Sequence, residues 1–140
     1  MPEISEQELR KQLAVGEPGP LYLLIGEEKY LLRRAAERLM DKSCGQAFPE
    51  FNRNELSGEA AVDSIADAAL ALPFMAEHKC VAVKDFNVEE RPQQELDKLW
   101  ELLDSPAETT TLVFWYPTLL FERKKSAKWR KFLEKAGKAG

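Results

Sequence analysis

The residues with the clearest potential for chemistry lie in one predicted strand-to-helix turn, Gly26-Glu27-Glu28-Lys29-Tyr30. In a βαβ unit a nucleotide phosphate binds at this turn, where several glycines let backbone amides converge and a Lys-Ser/Thr pair holds the phosphate and magnesium. Here one glycine is followed by two glutamates, whose carboxylates would occupy the positive end of the helix dipole. Two interpretations remain open: a nucleotide site that has lost its function, or an ordinary αβ domain with an acidic helix N-terminus.

Other candidates for catalysis or metal binding are few. Asp85 ends a predicted strand, but Phe86 follows where a second acid would stand, so we interpret Asp85 as a carboxylate that caps a turn. The single histidine, His78, has no nucleophile placed near it by a motif, and we expect a solvated loop histidine. Cys44 and Cys80 form no C-x-x-C motif, which excludes a zinc cage and favours free thiols. The sequence predicts no catalytic residue, metal or cofactor, and whether the chain is part of an enzyme stays open.

A short apolar segment, Leu72-Pro73-Phe74-Met75, lies between a predicted helix and a predicted strand. Proline restrains the backbone, and an adjacent aromatic and methionine cannot both face inward in a helical turn. At least one of them should be exposed, and exposed Phe and Met are typical of anchors for a protein partner. The alternative is a tightly folded connection that packs both side chains onto the edge of the sheet.

The C-terminal segment is basic although the whole chain carries a net charge of −4. Residues 122–140 carry 8 Lys and Arg against 2 Asp and Glu, while residues 1–121 carry 12 against 22. The helix predicted in this segment either contacts nucleic acid, or presents a solvated basic face beside the acidic rest of the chain. Trp129 and Phe132 follow core spacing, so no aromatic is interleaved for base stacking. Candidate contacts to DNA or to another subunit are Arg123, Lys124 and Lys125.

Length and composition set the class of the chain. With 140 residues and 15.9 kDa it has room for one domain, and 44% hydrophobic with 31% charged residues is typical of a globular protein. No apolar run reaches the roughly 18 residues of a spanning helix, and the N-terminus lacks the apolar region of a secretory signal. We therefore expect a cytoplasmic protein.

Four apolar runs predict strands, at 21–25, 50–56, 80–83 and 109–115, with the second the weakest. The segments between them have helical periodicity, including a helix whose apolar side carries Ala61 to Leu70 and a final helix, about 122–135, that packs Trp129, Phe132 and Leu133 inward. Strands that alternate with helices of this length predict an α/β fold with a parallel sheet covered on both faces.

The order and spacing of these segments resemble one family. The set that carries the resemblance comprises Leu21 to Glu28 followed by Tyr30-Leu31-Leu32, Leu72-Pro73-Phe74, Val81 to Phe86, and Leu112-Val113-Phe114 leading to Arg123-Lys124-Lys125. Together they look like the N-terminal domain of the delta subunit of bacterial DNA polymerase III, from about residue 20 onward.

The resemblance implies a three-layer sheet of the P-loop NTPase (AAA+) type with a degenerate phosphate loop, in a clamp-loader subunit that neither binds nor hydrolyses ATP. It implies that residues 1–140 form the N-terminal domain, with a lid and a C-terminal collar domain outside this chain. By position, the residues that bind and open the sliding clamp are Leu72, Phe74 and Met75, which the resemblance places on a short helical turn before the third strand. The implied partners are the clamp (beta subunit), the delta prime and gamma/tau subunits, and DNA in the full assembly, with no membrane.

Overall fold

The computed structural model describes residues 6–15, 20–25, 28–44, 48–117 and 127–139. The helices in these ranges are α1 (Glu6–Val15), α2 (Lys29–Cys44), α3 (Pro49–Asn52), α4 (Val62–Leu70), α5 (Gln93–Asp104) and α6 (Ala127–Ala139), with one 3-10 turn at Val88–Glu90. The strands are β1 (Leu21–Leu24), β2 (Arg53–Ser57), β3 (Lys79–Lys84) and β4 (Thr110–Trp115).

The four strands form one parallel sheet in the order β1-β4-β3-β2. Leu112 of β4 lies opposite Leu21 of β1 on one side and Val81 of β3 on the other, so β3 and β4 occupy the centre of the sheet. Side chains of β4 are buried throughout, as expected for a strand covered on both faces. The prediction of a parallel sheet is confirmed.

Helices cover both faces of the sheet, which gives three layers. On one face α2 packs Leu32, Ala36 and Leu39 against Tyr22 and Val113. On the other face α4, α5 and α6 enclose the larger core, where the ring of Phe132 meets Phe114 edge to face at 5.1 Å. Successive side chains of each strand point alternately into these two cores, because side chains of a pleated strand alternate between the two faces of the sheet.

Three parts of the predicted pattern are wrong. The segment predicted as a strand from residue 50 starts with the single helical turn α3, because the Phe48 carbonyl accepts hydrogen bonds from the amides of Phe51 and Asn52. Leu133 is partly exposed rather than inward, since Trp129 and Phe132 already fill the inner side of α6. Leu70, at the end of α4, is also exposed.

Candidate partner-binding site

The segment between α4 and β3 leaves the helix at Ala71, which has an extended backbone (φ −66°, ψ 141°) and ends it with an N–H bond to the Asp67 carbonyl. Residues 71–78 then run as bends without a helical turn, so the expectation that the anchors sit in a helical turn is wrong. Pro73 cannot donate a backbone hydrogen bond, and Met75 adopts a left-handed conformation (φ 48°). The backbone therefore turns sharply where the apolar side chains stand.

The predicted anchors are exposed to solvent. Leu72 is 82% exposed, Met75 74% and Phe74 44%. The alternative, in which the connection packs both Phe74 and Met75 onto the sheet edge, is contradicted by the exposure of Met75. Phe74 is intermediate because its ring lies against two others, those of Phe48 at 5.2 Å and Phe51 at 4.6 Å between centroids.

The side chain of Asn52 fixes the backbone of this segment. Its amide nitrogen donates to the Phe74 carbonyl at 2.8 Å, and its amide oxygen accepts from the Phe74 N–H at 2.6 Å. Asn52 is fully buried, and a buried amide is stable only when its polar atoms are hydrogen-bonded. Sequence reasoning placed Phe51 and Asn52 only in a weak strand and assigned no role to Phe48. The only local signal was two aromatics three residues apart in a polar stretch.

The far end of the segment is held by two polar contacts. A ring nitrogen of His78, Nε2, lies 2.9 Å from the Thr111 hydroxyl, and His78 is half-buried, so the prediction of a solvated loop histidine is wrong. The Lys79 ammonium donates to the Ala68 carbonyl at 2.7 Å. Burial lowers the pKa of Lys79, and the neighbouring Cys80 partly offsets this. The far end of the segment is thus tied to β4 and to α4, and its near end is tied to α4 through Ala71.

At the phosphate turn the structure describes Glu28 but not Gly26 or Glu27, which lie outside the described residues. Glu28 is exposed, and its carbonyl accepts the first hydrogen bond of α2 from the Leu32 amide at 3.0 Å. This is the N-cap position, where a carboxylate interacts favourably with the helix dipole.

An open cleft of about 530 Å³ lies at the carboxyl ends of β2, β3 and β4, with Glu55, Lys84 and Trp115 in its lining. Asp85 lines this cleft and has a left-handed backbone (φ 58°), while Phe86 is fully buried in the core.

Among the described residues, no group of three or more His, Cys, Asp or Glu side chains could hold a metal ion. None of the described helices is long and apolar enough to cross a membrane.

Several cations of the basic helix make contacts within the chain. Lys128 donates to the backbone carbonyls of Glu89 and Arg91, and the Lys135 ammonium pairs with the Asp104 carboxylate at 2.7 Å. Lys131 lies over the Trp100 ring at 5.6 Å from its centre. The candidate contacts Arg123, Lys124 and Lys125 lie outside the described residues.

A four-stranded parallel sheet in this order, between two helical layers, defines a three-layer α/β domain. The family model described as DNA polymerase III, delta subunit, matches residues 22–139. The chain belongs to that family.

Individual relatives agree with this assignment. The DNA polymerase III subunit delta of Bacillus subtilis is 34% identical over 127 residues, which is 84% of this chain and 36% of the relative. The solved structure of the Bacillus subtilis DNA clamp loader delta protein matches with a TM-score of 0.77 at 30% identity, over 94% of this chain and 40% of that one. A DNA polymerase III gamma subunit-related protein of Thermotoga maritima shares the fold, with a TM-score of 0.63 at 19% identity over 96% of this chain and 43% of its own. This chain therefore spans less than half the length of these relatives.

Proposed function

We propose that this chain is the domain of a clamp-loader delta subunit that binds and opens the DNA polymerase III sliding clamp during DNA replication. The observation that carries the proposal is the exposure of Leu72, Phe74 and Met75 on an ordered segment. Its backbone is hydrogen-bonded at Ala71 and at Phe74, and the His78 side chain contacts Thr111 at its far end. An anchor of this kind loses little conformational freedom on binding, because its backbone is already ordered. The clamp-loader role of a relative of known structure supports the choice of partner.

Opening of the clamp follows from a difference in affinity. If these side chains fit the clamp better in its opened form than in its closed form, binding shifts the ring toward opening by that difference. ATP is not needed in this domain for that step. We infer that the phosphate loop is degenerate, because Glu27 and Glu28 follow its single glycine and no Lys-Ser/Thr pair is present.

The rest of the assembly is also part of the proposal. Residues 1–140 form the AAA+-like N-terminal domain of a longer subunit, since relatives of this family are more than twice as long. A lid and a C-terminal collar domain would join it to the delta prime and gamma/tau subunits, with DNA bound by the full loader in the cytoplasm.

The test is clamp binding by two single variants, Leu72→Ala and Phe74→Ala, measured by calorimetry against the cognate sliding clamp. Truncation of a central anchor costs about 2 kcal/mol or more, or about a thirtyfold loss of affinity. Leu72→Ala should leave the melting temperature unchanged, whereas Phe74→Ala lowers it somewhat because its ring contacts two others. Tyr30→Ala, at an aromatic residue that is 66% exposed on α2, is the control. Unchanged affinity in both variants would exclude this segment as the clamp anchor.

The alternative of an independent nucleic-acid-binding module is tested in the same way. Binding through phosphates falls steeply with added salt and is independent of sequence. Because Lys128, Lys131 and Lys135 already contact groups of this chain, we expect only weak DNA binding by α6. Tight, strongly salt-dependent DNA binding, abolished by charge reversal in α6, would favour the module.

A further inference from the structure

Exposed apolar side chains are concentrated in two short segments. The described residues include nine large hydrophobic side chains that are exposed, and six of them belong to residues 48–51 or 70–75. These six are Phe48, Phe51, Leu70, Leu72, Phe74 and Met75. Scattered exposed apolar residues are normal in a globular protein, whereas a cluster of them marks an interaction surface.

The two segments meet through three phenylalanine rings, Phe48, Phe51 and Phe74, which we call the aromatic cluster. Phe74 packs edge to face on Phe48 and is tilted against Phe51, with centroids 5.2 and 4.6 Å away. Each ring keeps a large exposed fraction, 39% for Phe48, 54% for Phe51 and 44% for Phe74. The rings therefore contact one another at the surface instead of entering the core.

The backbone beneath the aromatic cluster holds the rings in this position. The Phe48 carbonyl closes the single turn of α3 by accepting from the amides of Phe51 and Asn52. Asn52 then binds both backbone polar groups of Phe74. Phe48 adopts a left-handed backbone (φ 48°), which is uncommon for an aromatic residue and costs conformational energy. A strained and fully hydrogen-bonded support under exposed rings is the arrangement expected of a preorganised contact surface.

We propose that Phe48 and Phe51 contact the sliding clamp directly, so that the clamp-binding surface is built from two chain segments on either side of β2 and α4. This inference rests on the proposed function and extends it from the anchors at residues 72–75 to the aromatic cluster. The partner that covers the aromatic cluster is the clamp, because the cluster is continuous with those anchors through Phe74. Exposed carboxylates at Glu50 and Glu77 lie in the same two segments, so the matching clamp surface is apolar with a basic margin.

A purely structural explanation has to be distinguished from this one. If Phe48 and Phe51 only support the Phe74 ring, their removal would weaken clamp binding indirectly, through a displaced Phe74. Loss of affinity alone cannot separate the two, but direct contact can be detected by a photo-reactive phenylalanine analogue. A residue that touches the clamp cross-links to it, whereas a residue that faces only Phe74 does not.

The experiment combines both measurements on the full chain with the cognate clamp. Phe51→Ala should lower clamp affinity at least about tenfold, with the melting temperature close to the parent. The photo-reactive analogue at position 51 should cross-link to the clamp, and the same analogue at the control position Tyr30 should not. Phe51→Leu, which retains apolar volume, should recover part of the affinity and serves if Phe51→Ala fails to fold.

The outcomes separate this inference from the proposed function. If Phe74→Ala loses clamp affinity while position 51 neither cross-links nor changes affinity, the aromatic cluster is a support only, and the inference is overturned while the proposed function stands. If neither Leu72→Ala nor Phe74→Ala changes the affinity, the proposed function fails and the inference fails with it. Cross-linking at position 51 together with affinity loss in Phe51→Ala supports both.

Discussion

Asn52 and Phe74 are joined by two hydrogen bonds, although they lie 22 residues apart and belong to different elements. The side-chain amide of Asn52 pairs with the N–H and the carbonyl of Phe74 as a neighbouring strand would. The Phe74 backbone is therefore fixed next to the α3 turn that carries Phe51. This pair makes the candidate site a single unit of two segments instead of one exposed loop.

Asn52→Ala removes both hydrogen bonds and leaves the Phe74 backbone groups unpaired. A lost partner to a buried polar group typically costs about 1–3 kcal/mol, so we expect a fall in the free energy of unfolding of that size. Clamp affinity should fall as well, because the anchors lose their fixed backbone. Urea denaturation and calorimetric titration with the clamp measure the two effects.

Gln94→Ala is the matched control, since Gln94 is an exposed amide residue on α5. Its stability should change by less than about 0.5 kcal/mol, as for most surface substitutions. If Asn52→Ala were no more destabilising than this control, the pair would not stabilise the fold.

Gly58→Ala should strongly destabilise the chain. A Cβ at this position would overlap the backbone carbonyl groups of Asp85 and Lys84, and backbone atoms cannot move aside as a flexible side chain can. Overpacking of this kind typically costs about 1–3 kcal/mol or more. Denaturant unfolding measures the loss, with Glu59→Ala, exposed in the same turn, as control. An equal effect of the two substitutions would show that the contact between the turn and β3 can relax.

The sheet and its two cores were predictable from the sequence because they depend on local patterns. Continuous apolar runs such as Val81 to Val83 indicate central parallel strands, and Leu96, Leu99 and Trp100 follow the helical period. Strand β2 gave a weak pattern because it lies at an edge of the described sheet, and only Leu56 among its residues is apolar. The sequence therefore predicted that this strand starts at residue 50, whereas it starts at residue 53.

The candidate site was only partly predictable. The expectation that Phe74 or Met75 is exposed followed from two adjacent large apolar side chains that cannot both face inward, and Met75 is indeed exposed. The role of Asn52 did not, because it depends on a contact between segments 22 residues apart. Local sequence carries no information on which distant backbone group a buried amide will meet.

The buried phenol of Tyr116 should lower the free energy of unfolding at alkaline pH. Burial, and next the negative charge of Asp85, raise the pKa of Tyr116 well above 10. Above pH 10 the unfolded chain releases this proton while the folded chain retains it, so the unfolded state binds fewer protons and stability falls as pH rises. Tyr116→Phe should remove this part of the pH dependence.

The measurement is the free energy of unfolding in urea between about pH 9 and pH 11, around the ordinary tyrosine pKa. Tyr30→Phe, at an exposed ring, is the control. The expected result is a shallower fall for Tyr116→Phe than for Tyr30→Phe. Parallel curves for the two variants would contradict the raised pKa of Tyr116.

ATP should not bind to this domain. In a phosphate loop, backbone amides of several glycines surround the phosphate, and a lysine adds a positive charge. Here Glu28 is the N-cap residue of α2 and Glu27 precedes it in sequence, so two acidic residues stand next to the helix N-terminus where a phosphate would bind. Titration with ATP-Mg should give no binding heat in a calorimeter. A dissociation constant below about 100 μM, or about 5.5 kcal/mol, would contradict the prediction.

A charge-neutral variant tests why ATP should not bind. Glu27→Gln combined with Glu28→Gln removes the repulsion between carboxylates and phosphate but does not supply the glycine-rich backbone or a Lys-Ser/Thr pair. We therefore expect the double variant to remain unable to bind ATP-Mg, because repulsion is the smaller of the two obstacles. Binding that appears in the double variant would show instead that the turn retains a phosphate-binding backbone and that the two carboxylates alone keep the nucleotide out.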